Sequence, residues 1–397
     1  MNFIFISPDF PTCFYKFVVA LSNRGINVLG IGEGNFSEFR SELRNSLVEY
    51  QYCNLNNYSE VLKIALYYES KYGKIDYIES NNEYWLTLDA KIRADLHITT
   101  GVQLPDIKYI RYKHEMKEIF KKIPIAFPRF IVATNVEELN AFVLKIGYPL
   151  FGKPLGGVGG FGTFTINDEA DLLKFTQAVT DLSSYIVEEF VSGVIESFDG
   201  ICDDSSKVVI FDSEIFPISD ALIDEQDLDS YYYCCNQVNP ILEALGRKVV
   251  EAFKITKRIF HIEFFRLNQD KPGLGKAGDY IIDEVNMRSP GGNSTDLIEG
   301  ALGYSPYEVY ADIIMSNENK QPLVQTPGYS LSINRKNRFN YCLSQVDFVN
   351  LYHDQIYQYG TYPLAFQRNM GDYYYLLKFD SLTELLKCAN EALKKNP

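Results

Sequence analysis

The sequence predicts a multidomain protein that combines α/β and α+β folds and begins with a Rossmann-like parallel sheet. In the first hundred residues, short apolar runs alternate with helical patterns, as in FIFIS followed by YKFVVALSNRG. Such alternation indicates a parallel sheet covered by helices. From about residue 101 the order changes to neighbouring strands and separate helices, which is typical of α+β domains.

These changes of pattern divide the chain, and its 397 residues are enough for several cores. We predict a Rossmann-like domain at 1–100, a small α+β subdomain at 101–190 and a large α+β subdomain at 191–320. The segment 321–397 is predicted as a small C-terminal α+β extension. An acidic, tyrosine-rich stretch at 220–237 is predicted as a loop, and its part in substrate binding is left open.

Composition limits the choice of partners. Lys and Arg number 38 against 52 Asp and Glu, so the formal net charge is −14. Such a surface repels nucleic acid and anionic lipid, and neither is expected as a partner. No long apolar run suggests a membrane span, and seven cysteines follow no disulfide framework, so a cytoplasmic location is expected. The four histidines are far apart in sequence, so we expect any metal ion to be held by oxygen.

The stretch KPLGGVGGFG at 153–162 contains the Gly-x-Gly-x-x-Gly spacing of a dinucleotide-binding turn. Such a turn must open a helix, but the following TFTI predicts a strand. We therefore predict a glycine flap between two strands, whose backbone N–H groups fold over phosphates; an ordinary surface loop is the alternative. The turn after the first strand, SPDFPT, has no glycine, which opposes an NAD-dependent oxidoreductase.

Polar side chains alternate along the strand YIIDEVNMR. Glu284, Asn286 and Arg288 should share one face, and Asp283 should point to the other. If HIEFFRL pairs with this strand as a hairpin, Glu263 joins Glu284 and Asn286. Two carboxylates and an amide oxygen make a hard-oxygen magnesium site of the kind that shares its ion with phosphates. A half-solvated strand is the alternative for this pattern taken alone.

The set of motifs resembles the ATP-grasp superfamily of carboxylate–amine ligases over about residues 1–320. It comprises a lysine on an early helix, Lys153 before the glycine flap, a hinge strand, and Glu followed by Glu-x-Asn-x-Arg. NMRSPGG followed by STDL is most similar to the branch that includes amino-acid ligases, biotin carboxylase and carbamoyl-phosphate synthase.

The resemblance implies a role for each matching position. The phosphate-binding lysines are Lys113 and Lys153, although Tyr112 replaces the usual aspartate. The flap residues are Gly156, Gly157, Gly159, Gly160 and Gly162. The adenine-binding hinge corresponds to Glu188, Glu189, Phe190 and Val191, and is followed by the acidic Glu196. The magnesium ligands are Glu263, Glu284 and Asn286. The catalytic side chains are Lys153 and Arg288, of which Arg288 steadies an acyl phosphate, whereas His261 is expected to be structural.

The implied cofactors are ATP and Mg²⁺, with Mn²⁺ as an alternative ion. A small carboxylate, expected to be an amino acid, would attack the γ-phosphate, and an amine would then displace phosphate from the acyl phosphate, releasing ADP and phosphate. Two alternatives stay open: a bicarbonate-activating carboxylase or carbamoyl-phosphate-synthase-like enzyme, and a non-catalytic nucleotide-binding module. A homodimer is expected by analogy with such ligases.

Overall fold

The computed structural model describes residues 1–156, 162–322 and 328–396. Its first sheet has four parallel strands in the order β3-β2-β1-β4. The elements are β1 (Asn2–Ile6), α1 (Tyr15–Asn23), β2 (Asn27–Gly32), α2 (Ser41–Ser46), β3 (Glu49–Tyr52), α3 (Tyr58–Tyr72), β4 (Tyr77–Glu79) and α4 (Leu86–Asp95). All of β1, and β2 apart from Asn27, is buried, as expected for a parallel sheet covered on both faces. The predicted Rossmann-like sheet is confirmed.

The second sheet also has four strands, in the order β5-β8-β6-β7. Its elements are α5 (Lys108–Arg111), α6 (Lys113–Phe120), β5 (Phe130–Ile131), α7 (Val136–Ile146), β6 (Leu150–Pro154), β7 (Phe164–Ile166), α8 (Glu169–Ala178) and β8 (Tyr185–Glu189). Strands β6 and β7 are antiparallel, with Leu150 opposite Ile166. The expected strand–loop–strand arrangement around the glycines is therefore present. The early helix expected to carry Lys113 begins at that residue as α6, because the backbone of Tyr112 before it is extended.

The third sheet has eight strands in the order β13-β12-β9-β10-β11-β14-β16-β15, and each strand runs antiparallel to its neighbours. Its strands and helices, in chain order, are β9 (Gly193–Cys202), β10 (Val208–Phe216), α9 (Asp220–Gln226), β11 (Ser230–Cys235), α10 (Pro240–Ala252), β12 (Ile259–Leu267), β13 (Tyr280–Asn286), α11 (Ser294–Leu302), α12 (Pro306–Ser316), β14 (Tyr329–Arg335), α13 (Gln345–Leu351), β15 (Ile356–Thr361), α14 (Leu364–Met370), β16 (Tyr373–Phe379) and α15 (Leu382–Leu393). Among the described helices, none has both the length and the apolarity needed to cross a membrane.

The structure changes the description of two segments in this part of the chain, 220–237 and 321–397. The stretch 220–237 is not a loop: it forms α9 and β11, because Ser219 caps the helix and the alternate residues Tyr232 and Cys234 are buried within the sheet. The segment 321–397 adds β14, β15 and β16 to the large sheet, so it shares a sheet with the preceding subdomain. The domain boundaries themselves stay predictions.

The two faces of β9 and β12 have different surroundings. On one face, Phe198, Phe260 and Ile262 are completely buried in a core that includes residues of α10. Gly246 on α10 allows this close approach, since a Cβ at that position would come within 2.1 Å of the Phe198 ring. The other face carries Ser197, Asp199, His261 and Glu263, because side chains alternate along a strand. The core therefore holds in place the strands that carry the polar face.

A buried ion network joins the first sheet to the third. Glu79 at the end of β4 contacts Arg93 at 2.6 Å and accepts two hydrogen bonds from Arg258, at 2.6 and 2.8 Å. Arg258 also donates to the backbone oxygen of Met287, one residue beyond β13. Removing one partner would leave an uncompensated buried charge, which costs several kcal/mol. The network therefore fixes the end of β4 against the end of the polar strand β13.

We expect Gly246→Ala to destabilise the protein, although alanine is better than glycine in a helix by about 1 kcal/mol. The added methyl group would overpack the contact with Phe198, at a cost of about 1–3 kcal/mol. Urea unfolding should give a lower midpoint for the variant than for the wild type. Adding Phe198→Leu should recover part of the loss, because neighbouring sites couple. A raised midpoint in Gly246→Ala would contradict this account of the packing.

Candidate active site

The hairpin of β12 and β13 brings the predicted metal ligands together. Glu263 lies directly opposite Glu284, and His261 lies opposite Asn286. Directly opposed residues in an antiparallel pair point to the same face. The amide nitrogen of Asn286 is 3.4 Å from Oε1 of Glu263. The expectation that a hairpin would make Glu263, Glu284 and Asn286 converge is confirmed, while Val285 and Met287 are buried in the core beneath.

A β-bulge changes the predicted orientation of Asp283. Glu263 pairs with Glu284 but Phe264 pairs with Ile282, so Asp283 is an extra residue on β13. Such an insertion breaks the regular alternation of side chains. The carboxylate of Asp283 consequently lies on the side of Glu284, and its Oδ1 accepts a hydrogen bond of 2.7 Å from Nζ of Lys153. The prediction that Asp283 points away from the metal ligands is wrong, because strict alternation was assumed.

Both predicted phosphate-binding lysines reach this hairpin. Lys113, the first residue of α6, donates to Oε1 of Glu284 at 2.8 Å. Lys153 on β6 contacts both Asp283 at 2.7 Å and Glu188 at 3.0 Å. Burial lowers the pKa of Lys153, but the Asp283 and Glu188 carboxylates outweigh it, so the pKa lies above its ordinary value. The lysine therefore stays charged in a buried position.

A third lysine, Lys117, belongs to the same network and was missed by the sequence analysis. Its Nζ lies 2.7 Å from Oε1 of Glu188, and its side chain is only 1% exposed. The contact lacks hydrogen-bond geometry, so among the described residues the Lys117 ammonium has no hydrogen-bond acceptor. Lys117 follows Lys113 by four residues on α6, a spacing that places both on one face of the helix. That spacing is the signal that could have identified it.

Asp283 is influenced by the whole lysine group. Burial works to raise the pKa of its carboxyl, but the ammonium groups of Lys153 and Lys117 outweigh it and hold the pKa below its ordinary value. Asp283 therefore carries a negative charge in the neutral pH range. Lys117, Glu188, Lys153 and Asp283 thus form one connected set of ion pairs, and Lys113 and Glu284 form a separate pair beside it.

The two hinge glutamates on β8 have separate roles because they point to opposite faces. Glu188 faces Lys153 and Lys117, as described above. Glu189 accepts hydrogen bonds from the Arg129 guanidinium at 2.5 and 2.9 Å and from the Arg129 backbone N–H at 2.8 Å. Burial raises the pKa of Glu189, but the Arg129 side chain and backbone outweigh it and lower the pKa overall. The hydrogen bonds between Glu189 and Arg129 therefore hold β5 beside β8.

An apolar patch follows the hinge. Val191, Leu267 and Ile281 are buried together, with Phe265 packed against them. Phe265 is opposite Ile281 in the hairpin, two residues along from Glu263. The face of the hairpin therefore changes from apolar at the hinge to acidic at Glu263. The backbone N–H of Phe190 donates to the Pro149 oxygen at 3.1 Å and is not free for a ligand.

Arg288 extends the polar face toward the N-terminal domain. Its guanidinium contacts Oδ1 of Asn286 at 3.2 Å and Oε2 of Glu83 at 3.3 Å. Glu83 follows β4 closely in the chain and also lies 3.9 Å from Arg111. Burial raises the pKa of Glu83, and the Arg288 charge only partly offsets this. Glu83 is a second residue that the sequence analysis missed, since nothing local to 79–85 connects it with residue 288.

His261 touches a predicted metal ligand. Its Nε2 lies 3.1 Å from Oε1 of Glu263, and its Nδ1 lies 2.6 Å from Oδ1 of Asp199. Burial lowers the pKa of His261, but Asp199 and Glu263 outweigh it and raise the pKa well above its ordinary value. The His261 ring therefore holds the Glu263 carboxylate in position through its Nε2.

Comparison with known proteins places this geometry in context. No family model matches the chain. An L-arginine-specific L-amino acid ligase of Bacillus subtilis is 26% identical over 286 residues, which cover 68% of this chain and 65% of that protein. The chain thus aligns with slightly less than two thirds of that relative.

Solved structures extend the likeness over nearly the whole chain. An L-amino acid ligase from Bacillus licheniformis superimposes with a TM-score of 0.74 at 14% identity, covering 98% of this chain and 96% of the other. The chain therefore has the fold of the ATP-grasp ligases. Another ATP-grasp structure is the biotin carboxylase domain dimer of a 2-oxoglutarate carboxylase from Hydrogenobacter thermophilus, solved with MgADP, ADP and bicarbonate. It has a TM-score of 0.68 at 16% identity, covering 98% of this chain and 89% of the other.

The ATP-grasp flap predicted at Gly156–Gly162 is described only at its two ends. Gly156 lies near the ring of Tyr112, and Gly162 has a φ of +71°, a conformation that favours glycine. The backbone N–H of Lys113 donates to the oxygen of Leu155 at 3.1 Å, so the start of α6 is tied to the start of the flap. Gly157, Gly159 and Gly160 lie outside the described residues.

Glu196 lies apart from the other predicted residues of the ATP-grasp site. It is opposite Phe264 in the β9–β12 pair, hence on the face that does not carry Glu263. Its carboxylate accepts hydrogen bonds from Arg266 at 2.5 Å and from the Tyr280 hydroxyl at 2.6 Å. A role for Glu196 in nucleotide binding stays a prediction, and the contacts described here tie β9 to the hairpin.

We expect Glu189→Gln to lower the free energy of unfolding by about 1–3 kcal/mol at neutral pH, because Arg129 loses a charged hydrogen-bond acceptor. The folded pKa of Glu189 is lowered, so its contribution is complete above the unfolded pKa, about 4.3. It is lost as the pH falls through the lower folded pKa. In urea unfolding, the difference from wild type should be constant near neutrality and shrink below about pH 4.

The exposed pair of Glu118 on α6 and Lys121 just after that helix supplies a matched control. Glu118→Gln should change the free energy of unfolding by less than about 0.5 kcal/mol, because solvent screens surface ion pairs. Equal effects of the two substitutions would contradict a structural role specific to Glu189.

Proposed function

We propose that the protein is an ATP-dependent ligase. It activates a small carboxylate, an amino acid, as an acyl phosphate and couples it to an amine, releasing ADP and phosphate. The observation that carries the proposal is the convergence of Lys113 and Lys153 on the carboxylates of the β12–β13 hairpin, beside Arg288. Phosphoryl transfer is catalysed mainly by such placed charges, so no side-chain nucleophile is needed. The amino-acid ligases among the similar proteins support the same reading.

The proposed nucleotide lies along the hairpin with its base at the hinge. Val191, Phe265 and Ile281 offer an apolar surface for the base. Lys153 and Lys113 follow along the same face and would bind the phosphates. Lys117, whose buried ammonium lacks a hydrogen-bond acceptor among the described residues, has donors to spare for the nucleotide. The ADP complex of a similarly folded carboxylase domain supports nucleotide binding in this fold.

The donor set at the phosphate end fits magnesium. Glu263 and Glu284 are opposed, each side chain is partly exposed, at 25% and 17%, and Asn286 supplies an amide oxygen. Oxygen ligands of this kind, few enough to leave room for phosphate oxygens, suit Mg²⁺, and Mn²⁺ accepts the same set. When bound, the ion would supply charge neutralisation on the transferred phosphoryl group.

The side chains of this chain would perform the remaining tasks. Lys153 and Lys113 neutralise phosphate charge, and the buried partners of Lys153 hold it in place. Arg288 is positioned beside Asn286, where it can stabilise the carboxylate and then the acyl phosphate. The glycine flap, in this proposal, covers the site and keeps water from hydrolysing the activated intermediate. A homodimer and a cytoplasmic location also remain proposals.

The deciding experiment is phosphate release from MgATP with single and paired amino acids and small carboxylates, with ADP and AMP separated. We expect ADP and phosphate only with particular carboxylate–amine pairs. In Glu284→Gln, turnover should fall by about 100-fold or more, equivalent to about 3 kcal/mol of lost stabilisation. Glu251→Gln, an exposed carboxylate on α10, should retain wild-type activity.

Each of the other outcomes would favour a different function or mechanism. Release of ADP with bicarbonate alone would favour the carboxylase-like alternative. The similar carboxylase domain was solved with bicarbonate. Formation of AMP would contradict an acyl phosphate. ATP binding without turnover, unchanged in Glu284→Gln, would favour a non-catalytic nucleotide-binding module.

Lys117 offers a second prediction, with a control at Lys121, just after the end of the same helix. Lys117→Met should raise the apparent Michaelis constant for ATP about tenfold, a loss of about 1.4 kcal/mol. The reason is that Glu188 would then pair with Lys153 alone and hold its ammonium away from phosphate. Lys121→Met removes an exposed lysine and should leave the constant unchanged. An unchanged constant in Lys117→Met would exclude Lys117 from the nucleotide site.

A further inference from the structure

One carboxylate beside the proposed site has no assigned role in the reaction, that of Glu83. It lies between β4 and α4, beyond the carboxyl end of β4. The strand order β3-β2-β1-β4 puts the switch point of the first sheet between β1 and β4, and open parallel sheets bind ligands at the carboxyl ends of the strands there. Oε2 of Glu83 accepts a hydrogen bond of 3.3 Å from Nε of Arg288. Since Arg288 is proposed to stabilise the acyl phosphate, Glu83 lies beside the group that the amine must attack.

The second carboxylate oxygen of Glu83 is an unused acceptor. Its Oε1 is 3.9 Å from Nε of Arg111, which is too long for a hydrogen bond. No residue that the structure describes donates a hydrogen bond to this oxygen. The Glu83 side chain is 12% exposed, so part of it is open to a ligand. A largely buried acceptor without a partner favours a ligand that brings its own donor.

The other carboxylates of the site are paired with lysines or proposed as magnesium ligands: Glu188, Glu263, Asp283 and Glu284. A carboxylate oxygen that contacts an ammonium or a metal ion is a poor acceptor for a further proton. The two arginines beside Glu83 stay protonated and cannot act as bases. Among the described carboxylates of the site, Glu83 is therefore the one with an oxygen available for a proton.

The second step of the proposed reaction requires a proton acceptor. An aliphatic amine such as the lysine side chain has a pKa of about 10.4, so at neutral pH it arrives as an ammonium. An ammonium has no lone pair for attack, and a proton must leave before the C–N bond forms. A positioned carboxylate can remove that proton, and such general-base catalysis contributes about 10²–10⁴-fold in rate. Magnesium and the lysines supply charge but accept no proton.

We propose that Glu83 is the general base for the attacking amine. Its Oε1 takes one proton from the ammonium, and the nitrogen lone pair then forms the C–N bond to the acyl carbon. The C–O bond to phosphate breaks, and the leaving phosphate takes the electron pair and a second proton from the nitrogen. Glu83 then returns its proton to solvent. The inference rests on the proposed function and adds a residue that acts in its second step.

The surroundings of Glu83 suit this role. Burial raises the pKa of its carboxyl, and the Arg288 charge only partly offsets this. The charge of Glu284 adds to the rise, whereas Arg111 and Lys113 lower the pKa. A base whose pKa lies closer to that of the amine removes the proton more readily. The hydrogen bond from Arg288 also fixes the carboxylate through Oε2 and leaves Oε1 for the amine.

The test compares two nucleophiles in the wild type and in Glu83→Gln, a substitution that keeps the size of the side chain. Hydroxylamine is largely unprotonated at neutral pH and converts an acyl phosphate to a hydroxamate without a base. The proteinogenic amino acids serve as carboxylates with MgATP, first with hydroxylamine and then with a second amino acid as the amine. We expect Glu83→Gln to lower the rate of amide formation about 100-fold more than the rate of hydroxamate formation.

Two further variants support the comparison. Hydroxamate formed by Glu83→Gln shows that the variant is folded and still activates the carboxylate. Glu83→Asp retains a carboxylate, so it should form the amide about tenfold faster than Glu83→Gln. Glu60→Gln removes an exposed carboxylate on α3 and should retain the wild-type rates with both nucleophiles.

Equal losses with the two nucleophiles in Glu83→Gln would overturn the proposal, because Glu83 would then act only by holding Arg288. Wild-type amide formation in Glu83→Gln, or no recovery in Glu83→Asp, would overturn it as well. The hydroxylamine reaction separates this result from the ligase assignment. Hydroxamate formed by the wild type would support the ligase whatever Glu83→Gln does. No hydroxamate and no amide from the wild type with any amino acid would oppose the ligase and, with it, the base.

Discussion

The arrangement of the site depends on one irregularity in the pairing of β12 and β13. The extra residue at Asp283 puts two consecutive carboxylates, Asp283 and Glu284, on the same side of the hairpin. With regular alternation, Asp283 would point into an apolar core, and Lys153 would keep Glu188 as its carboxylate contact. The bulge thus allows one strand, β13, to contact both Lys113 of α6 and Lys153 of β6. Bulges next to active sites commonly re-aim side chains in this way.

The ion pairs around the bulge explain how flexible lysines are held in position. Lys117 and Lys153 share Glu188, and Lys153 also binds Asp283, so displacing one of these side chains disturbs the others. A buried network of this kind is a weak source of stability, since desolvation offsets much of the attraction. In the proposed function, its value lies in placing positive charge before a phosphate arrives, which reduces the reorganisation needed during the reaction. The formal net charge of −14 is therefore a poor guide to anion binding here.

Local patterns were sufficient to predict the parallel sheet, the strand–loop–strand arrangement around the glycines, and the convergence of Glu263 with Glu284. Each of these depends on alternation or on neighbours in sequence. The contacts of Asp283, Glu83 and Lys117 were not predicted. Asp283 depends on a bulge that the period-two pattern cannot show. Glu83 meets Arg288 where the Glu79–Arg258 contact joins the first sheet to the third, and this contact spans residues far apart in sequence. The acidic stretch 220–237 was misread as a loop because β11 has tyrosines on a buried central strand.

The order of side chains along the polar face also limits how a nucleotide can be arranged. Apolar residues stand at the hinge, lysines in the middle, and Asp199 and Glu214 at the far end of this face. Phosphate groups are attracted to the lysines and repelled by the far carboxylates, so the negative end of a nucleotide should stop near Glu263. In the proposed function, this order places the transferred phosphate near Glu263 and Arg288.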